Sequence, residues 1–127
     1  MKENLVSVCG SGPQIIQAVY LDGWIAGWQA TSMKLQEFRD SVRSHQPPKD
    51  LSFALSGLWW DAKGDWTRAH EAAQQDEGPA GAWVHAYLHR KEGDSSNAGY
   101  WYQRAGKPAC HSSLEEEWAA IAEALLR

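Results

Sequence analysis

Cysteine is nearly absent from this chain: Cys9 and Cys110 are the only two in 127 residues, and they form neither a CxxC pair nor a ligand array. That scarcity argues against a disulfide framework or a cysteine-built zinc site, and makes a reducing, cytoplasmic setting the expectation. Long apolar runs are missing too. Nothing approaches the roughly 18 residues a membrane helix needs, and no basic segment leads into an apolar stretch with a cleavage site, so neither a membrane span nor a secretion signal is expected. An excess of positive charge is also lacking, since 12 lysines and arginines stand against 16 acidic residues for a net charge of −4. No broad electropositive footprint for nucleic acid or anionic lipid follows from such a balance. With 43% hydrophobic residues the length suits one domain with one core.

Tryptophan is what the chain has in abundance. Trp24, Trp28, Trp59, Trp60, Trp66, Trp83, Trp101 and Trp118 are more bulky rings than a domain of this size buries with every indole N–H satisfied, so some are expected at the surface. Trp60, Trp66 and Trp118 read as core fillers.

Residues 1–32 differ in texture, with Gly10, Gly12, Pro13, Gly23 and Gly27 among scattered apolar side chains. Tyr20, Trp24 and Trp28 fall on a helical stripe, yet Val19 to Ile25 also reads as a hairpin about Asp22-Gly23. The segment is taken as an N-terminal extension, with a position upstream of the natural start codon as one reading of it. Gly10-Ser11-Gly12 lacks a following lysine and is read as a turn, not a phosphate loop.

From about residue 33 the periodicity is helical. Leu35, Phe38 and Val42 share one side of a first helix that Ser32 can cap and Pro47-Pro48 should end. A second, strongly apolar helix is predicted over 51–63. Gly64-Asp65 then marks a helix-hairpin corner, because glycine takes the left-handed conformation and aspartate caps the next first turn. A third helix follows over 66–76, closed by Gly78-Pro79. The pattern repeats with a helix from Ala80 to Glu92, the corner Gly93-Asp94, and a helix from Ser95 to Ala105. Aligning the two corners also places Ala69 on Ala98, Gln74 on Gln103 and Pro79-Ala80 on Pro108-Ala109. This is an internal repeat of units that must share a core. A sixth helix opens at Ser113, where Glu116 completes a capping box and Glu115, Glu116 and Glu117 read as a solvated acidic start. The fold class expected is all-α: six helices over residues 33–127 in antiparallel pairs, the last one a cap.

These units resemble the tetratricopeptide class of helical repeats. The likeness rests on Phe53, Gly57, Trp60, Gly64-Asp65, Ala69 and Ala73 in the first copy, and on Ala82, Ala86, Gly93-Asp94, Ala98, Tyr102, Ala105 and Pro108 in the second. The offset between corners is shorter than the usual period of roughly 34 residues. Leu58 to Asp65 together with Ala82 to Arg90 also resembles a group of small bacterial proteins of unassigned function. The tetratricopeptide likeness implies a concave surface that binds an extended peptide or protein partner, and by register it would include Leu58, Asp61, Ala62, Trp83, Tyr87, Arg90 and Lys91. Spacing adds that Trp83, Tyr87 and Arg90 lie on one helical side, pairing two amphipathic rings with a guanidinium that can grip a carboxylate.

The alternative is a metal- or small-ligand-binding protein, with hydrolysis as its possible chemistry. His85 and His89 stand one helical turn apart, but Ala86 occupies the position where an HExxH motif has its general base. His70 on the preceding helix is the best third ligand, ahead of Glu71 and Asp61. The simpler reading is structural, with both histidines facing the paired helix and bonding to backbone, Tyr100 or Tyr102. Cys110-His111 are adjacent, which does not align a thiol with a base. No catalytic residue and no cofactor is assigned, and self-association through exposed rings at the ends of so short an array is a further expectation.

Overall fold

Six helices follow one another in a computed structural model that describes residues 33–127: α1 (Leu35–Ser41), α2 (Phe53–Lys63), α3 (Trp66–Gln75), α4 (Pro79–Lys91), α5 (Ser95–Ala105) and α6 (Leu114–Leu125). No strand occurs among the described residues, so the all-α expectation holds. The expectations placed on residues 1–32, including the Ser32 cap and the Gly10-Ser11-Gly12 turn, lie outside the described residues. None of the helices is long and apolar enough to cross a membrane.

Both glycine–aspartate corners form as their chemistry dictates. Gly64 and Gly93 sit at φ 91° and 90°, where a side chain would be strained. The following N–H groups fold back, from Asp65 to the Trp60 carbonyl and from Asp94 to the His89 carbonyl, both at 2.9 Å. Each aspartate then caps the next helix by accepting an N–H, from Arg68 at 3.0 Å and from Asn97 at 3.1 Å. A two-residue corner turns the chain back on itself, pairing α2 with α3 and α4 with α5. Close approach of α2 to both α3 and α4 depends on Gly57, where an added Cβ would stand 3.2 Å from both the Ala69 carbonyl oxygen and Val84 Cγ1.

The first helix ends at Ser41, several residues before Pro47-Pro48. The cause lies outside the local sequence. Lys63 of α2 donates to the carbonyls of Val42 and Ser44 at 2.6 Å each, and Ser41 Oγ donates back to the Phe38 carbonyl at 2.7 Å. The outgoing carbonyls are thus satisfied without further helical turns.

The core runs through Phe38, Leu58, Trp59, Val84, Leu88 and Ile121, all fully buried. Trp59 donates its indole N–H to Ser41 Oγ, and Trp118, buried as expected, donates its own to the Leu58 carbonyl, both at 3.0 Å. Trp60 is only partly covered, and Trp66 is 39% exposed, so the core assignment fails for Trp66. It lies against His70 instead.

The last helix is held by an internal charge. Glu117 is fully buried and accepts from Arg90 at 2.7 Å and from the Tyr102 hydroxyl, while Arg90 also donates to the Ser112 carbonyl. This corrects the expectation that Glu115, Glu116 and Glu117 all face water. Burial and the bond to Glu117 push the Tyr102 phenol well above its ordinary range, so it remains a donor. Cys110 is disulfide-bonded, where the sequence carried no indication of a disulfide framework, and Cys110-His111 therefore offers no free thiol as a nucleophile.

Candidate metal centre between the hairpins

Three imidazoles converge where the first hairpin meets the second. His70 comes from the middle of α3, which the short Asp76–Gly78 connection keeps beside α4. His85 and His89 come from one side of α4, one turn apart. One ring nitrogen from each of the three lies within 4.8 Å of the others. His70 Nε2 and His85 Nε2 are 2.9 Å apart, and His89 Nδ1 lies 3.1 Å from Glu92 Oε2. His85 does face the paired helix α5, stacking on its Trp101, while among the described residues the ring nitrogens of His85 and His89 meet His70 and Glu92 in place of backbone, Tyr100 or Tyr102.

Aromatic rings hold the imidazoles in place. His85 is stacked between Trp101, at 3.9 Å between centroids, and His89, at 4.9 Å. His70 stands edge-on to both and stacks on Trp66 at 4.6 Å. Burial, helped by the neighbouring His70 and His89, pushes the His85 pKa down to about 4. Burial, then His89, lowers His70 as well, against opposing pulls from Glu92 and Glu71. Both rings are therefore neutral near pH 7, the form in which imidazole ligates a metal.

The His70–His85 spacing is close to what a metal ion requires. Two nitrogens held at 2.0–2.1 Å from one tetrahedral zinc are about 3.3 Å apart, so His70 and His85 need to separate by only a few tenths of an ångström. Nitrogen donors suit zinc, cobalt, nickel and copper rather than calcium or magnesium. Glu92 stands behind His89 as the carboxylates that accept from metal-bound imidazoles do. It escaped the sequence reading although it lies three residues after His89, a spacing at which helical side chains meet. Trp101 escaped as well, since only the pairing of α4 with α5 brings it to His85.

The surface inferred from the tetratricopeptide likeness divides differently. Leu58, Trp83 and Tyr87 are buried, at 0%, 4% and 3% exposure, which corrects the idea of open rings at Trp83 and Tyr87. Arg90 is turned inward to Glu117, so its guanidinium already holds a carboxylate. Trp83 Nε1 finds no hydrogen-bond partner among the described residues, and the Lys107 ammonium lies over its ring. Asp61, Ala62, Tyr87 and Lys91 do share a cavity of about 840 Å³, whose other wall is built from α1 and α6. There Asp61 accepts from the Tyr87 hydroxyl at 3.0 Å and from Lys91 at 2.8 Å. Burial and the Asp61 carboxylate raise the Tyr87 pKa, keeping its proton on the bond. Asp61 is thereby committed away from the imidazoles and is no third ligand. Arg39, Leu114 and Trp118, which also line the cavity, carried no signal in the sequence because their helices are remote in the chain.

Comparison of the chain with protein-family models, curated proteins and solved structures found no match.

Proposed function

We propose that this chain binds one divalent transition-metal ion through His70, His85 and His89. The observation that carries the reading is the convergence of three imidazoles from two helices, with Glu92 on His89. Around this centre the two glycine–aspartate hairpins are read as a short tetratricopeptide-like array capped by α6. Their matching corners and the α2–α3 and α4–α5 pairings support that reading. The metal would then tie the second helix of one hairpin to the first helix of the next.

Such an ion stabilises the folded chain, because the unfolded chain has no assembled site. At a free concentration 100 times the dissociation constant the gain is about 2.7 kcal/mol. The expected result is one zinc or cobalt ion retained per chain after dialysis, with a raised melting temperature. His85→Gln and His89→Gln should each lose both effects while circular dichroism shows the helices intact. Unchanged metal content in both variants would sink the proposal.

A second reading is favoured by the 840 Å³ cavity. Its apolar wall of Leu114 and Trp118 and the Arg39 guanidinium, set beside Glu115 and the Asp61–Lys91 ion pair, suit a peptide segment carrying an acidic residue beside an apolar one. In a peptide-array assay, Arg39→Glu should abolish retention of acidic–apolar sequences that the wild type holds. Retention without any such preference would refute this docking mode.

A further inference from the structure

The three imidazoles are not equivalent in where their protons sit. A carboxylate only accepts, so the 3.1 Å contact between His89 Nδ1 and Glu92 Oε2 places the imidazole hydrogen on Nδ1. The neutral form of that ring has its lone pair on Nε2. His70 and His85 meet through their two Nε2 atoms at 2.9 Å, so one of those nitrogens carries a hydrogen that the other accepts. That pair offers a metal one lone pair fewer than it needs.

We infer that Glu92 is the positioning residue of the centre, setting His89 as the pre-formed ligand on which a divalent transition-metal ion lands before the His70–His85 hydrogen bond opens to admit it. This inference rests on the metal-binding reading above. In the opening step the hydrogen on the shared Nε2 is lost to water and a proton is taken up on Nδ1 of the same ring. Both Nε2 lone pairs then face the ion, and no net proton is released. His70, only partly buried, gives that exchange a route to solvent.

The alternative carboxylate is otherwise engaged. Asp94 also lies within 4.8 Å of His89 and Glu92, but it caps α5 through the Asn97 N–H and side-chain amide, both at 3.1 Å. Glu92 sits at the end of α4 with its side chain 37% exposed, so shortening it leaves no buried void.

The test uses the full chain, with zinc binding measured by competition against a chelator and imidazole tautomers read from long-range ¹H–¹⁵N spectra of the metal-free protein. Glu92→Ala should weaken zinc binding by roughly 10–100-fold while still taking up one ion. His89 should be the Nδ1–H tautomer in the wild type and drift towards Nε2–H in Glu92→Ala. Glu92→Gln, whose amide oxygen still accepts from Nδ1–H, should fall between the two. Equal zinc affinity in the wild type and Glu92→Ala would overturn the positioning role, as would an Nε2–H tautomer for His89 in the wild type. A wild type that takes up no zinc would instead overturn the metal reading and this inference with it, so the two failures are told apart.

Discussion

Glu117→Ala should cost about 3 kcal/mol of folding stability, read as a shift in the urea unfolding midpoint. The carboxylate is fully buried and joins three elements, taking hydrogen bonds from Arg90 on α4 and Tyr102 on α5 while itself belonging to α6. Truncation leaves a buried phenol without an acceptor and a guanidinium without its counter-charge. Breaking a buried pair commonly costs about 3–5 kcal/mol. The lower end applies because the Arg90 side chain is 24% exposed and can turn towards water. For a domain of this size that loss corresponds to a melting temperature lower by roughly 12 °C or more. Glu117→Gln keeps an acceptor in place and should cost about 1–2 kcal/mol. Glu115→Ala, two residues away and exposed, should change stability by less than about 0.5 kcal/mol. Equal effects at positions 115 and 117 would mean that the carboxylate of residue 117 does not hold α6 in place.

The metal-free protein should lose about 3 kcal/mol of stability between pH 6.5 and pH 4. His85 is the main source. Its pKa falls from the ordinary 6.5 to about 4 in the folded chain, through burial first and then through His70 and His89. Below pH 6.5 the unfolded chain takes up a proton at this residue that the folded chain refuses, so stability declines as pH falls. The decline levels off below pH 4, as the folded chain takes up the proton too; by pH 4 the difference amounts to about 3 kcal/mol. His70, also lowered, adds to the loss in the same direction, with Glu92 and Glu71 opposing it. Chemical denaturation in chelator at several pH values measures the slope. The His85→Gln variant isolates this histidine from carboxylates, which titrate lower. Parallel slopes for wild type and variant would show that the imidazole is not held neutral by its surroundings.

Apart from the end of α1, the helices and their ends were legible because their causes are local. A left-handed glycine followed by a capping aspartate acts within five residues, and Ser113 with Glu116 within three. The pairing of His85 with His89 was legible for the same reason, since one helical turn brings side chains together whatever surrounds them. His70 could be named only as a candidate. Its approach to 2.9 Å from His85 depends on how α3 lies against α4.

Other expectations failed where the deciding partner was far away in the chain. Trp83, Tyr87 and Arg90 do share a helical side, but the residues that cover or engage them include Asp61, Lys107 and Glu117. Glu117 sits in an acidic run that suits a solvated helix start, and nothing near it in sequence announces Arg90 and Tyr102. The early end of α1 has the same kind of cause in Lys63.

Periodicity and capping chemistry in the sequence alone determined six helices, their corners and the facing of His85 with His89, because hydrogen bonding and side-chain spacing within a helix need no distant partner. The tertiary structure alone decided that His70 joins them, that Glu117 is interior, and that a cavity opens beside Asp61. The reason is physical: burial of a given helical face, and with it the charge and hydrogen bonding that face can sustain, depends on which remote helix comes to rest against it.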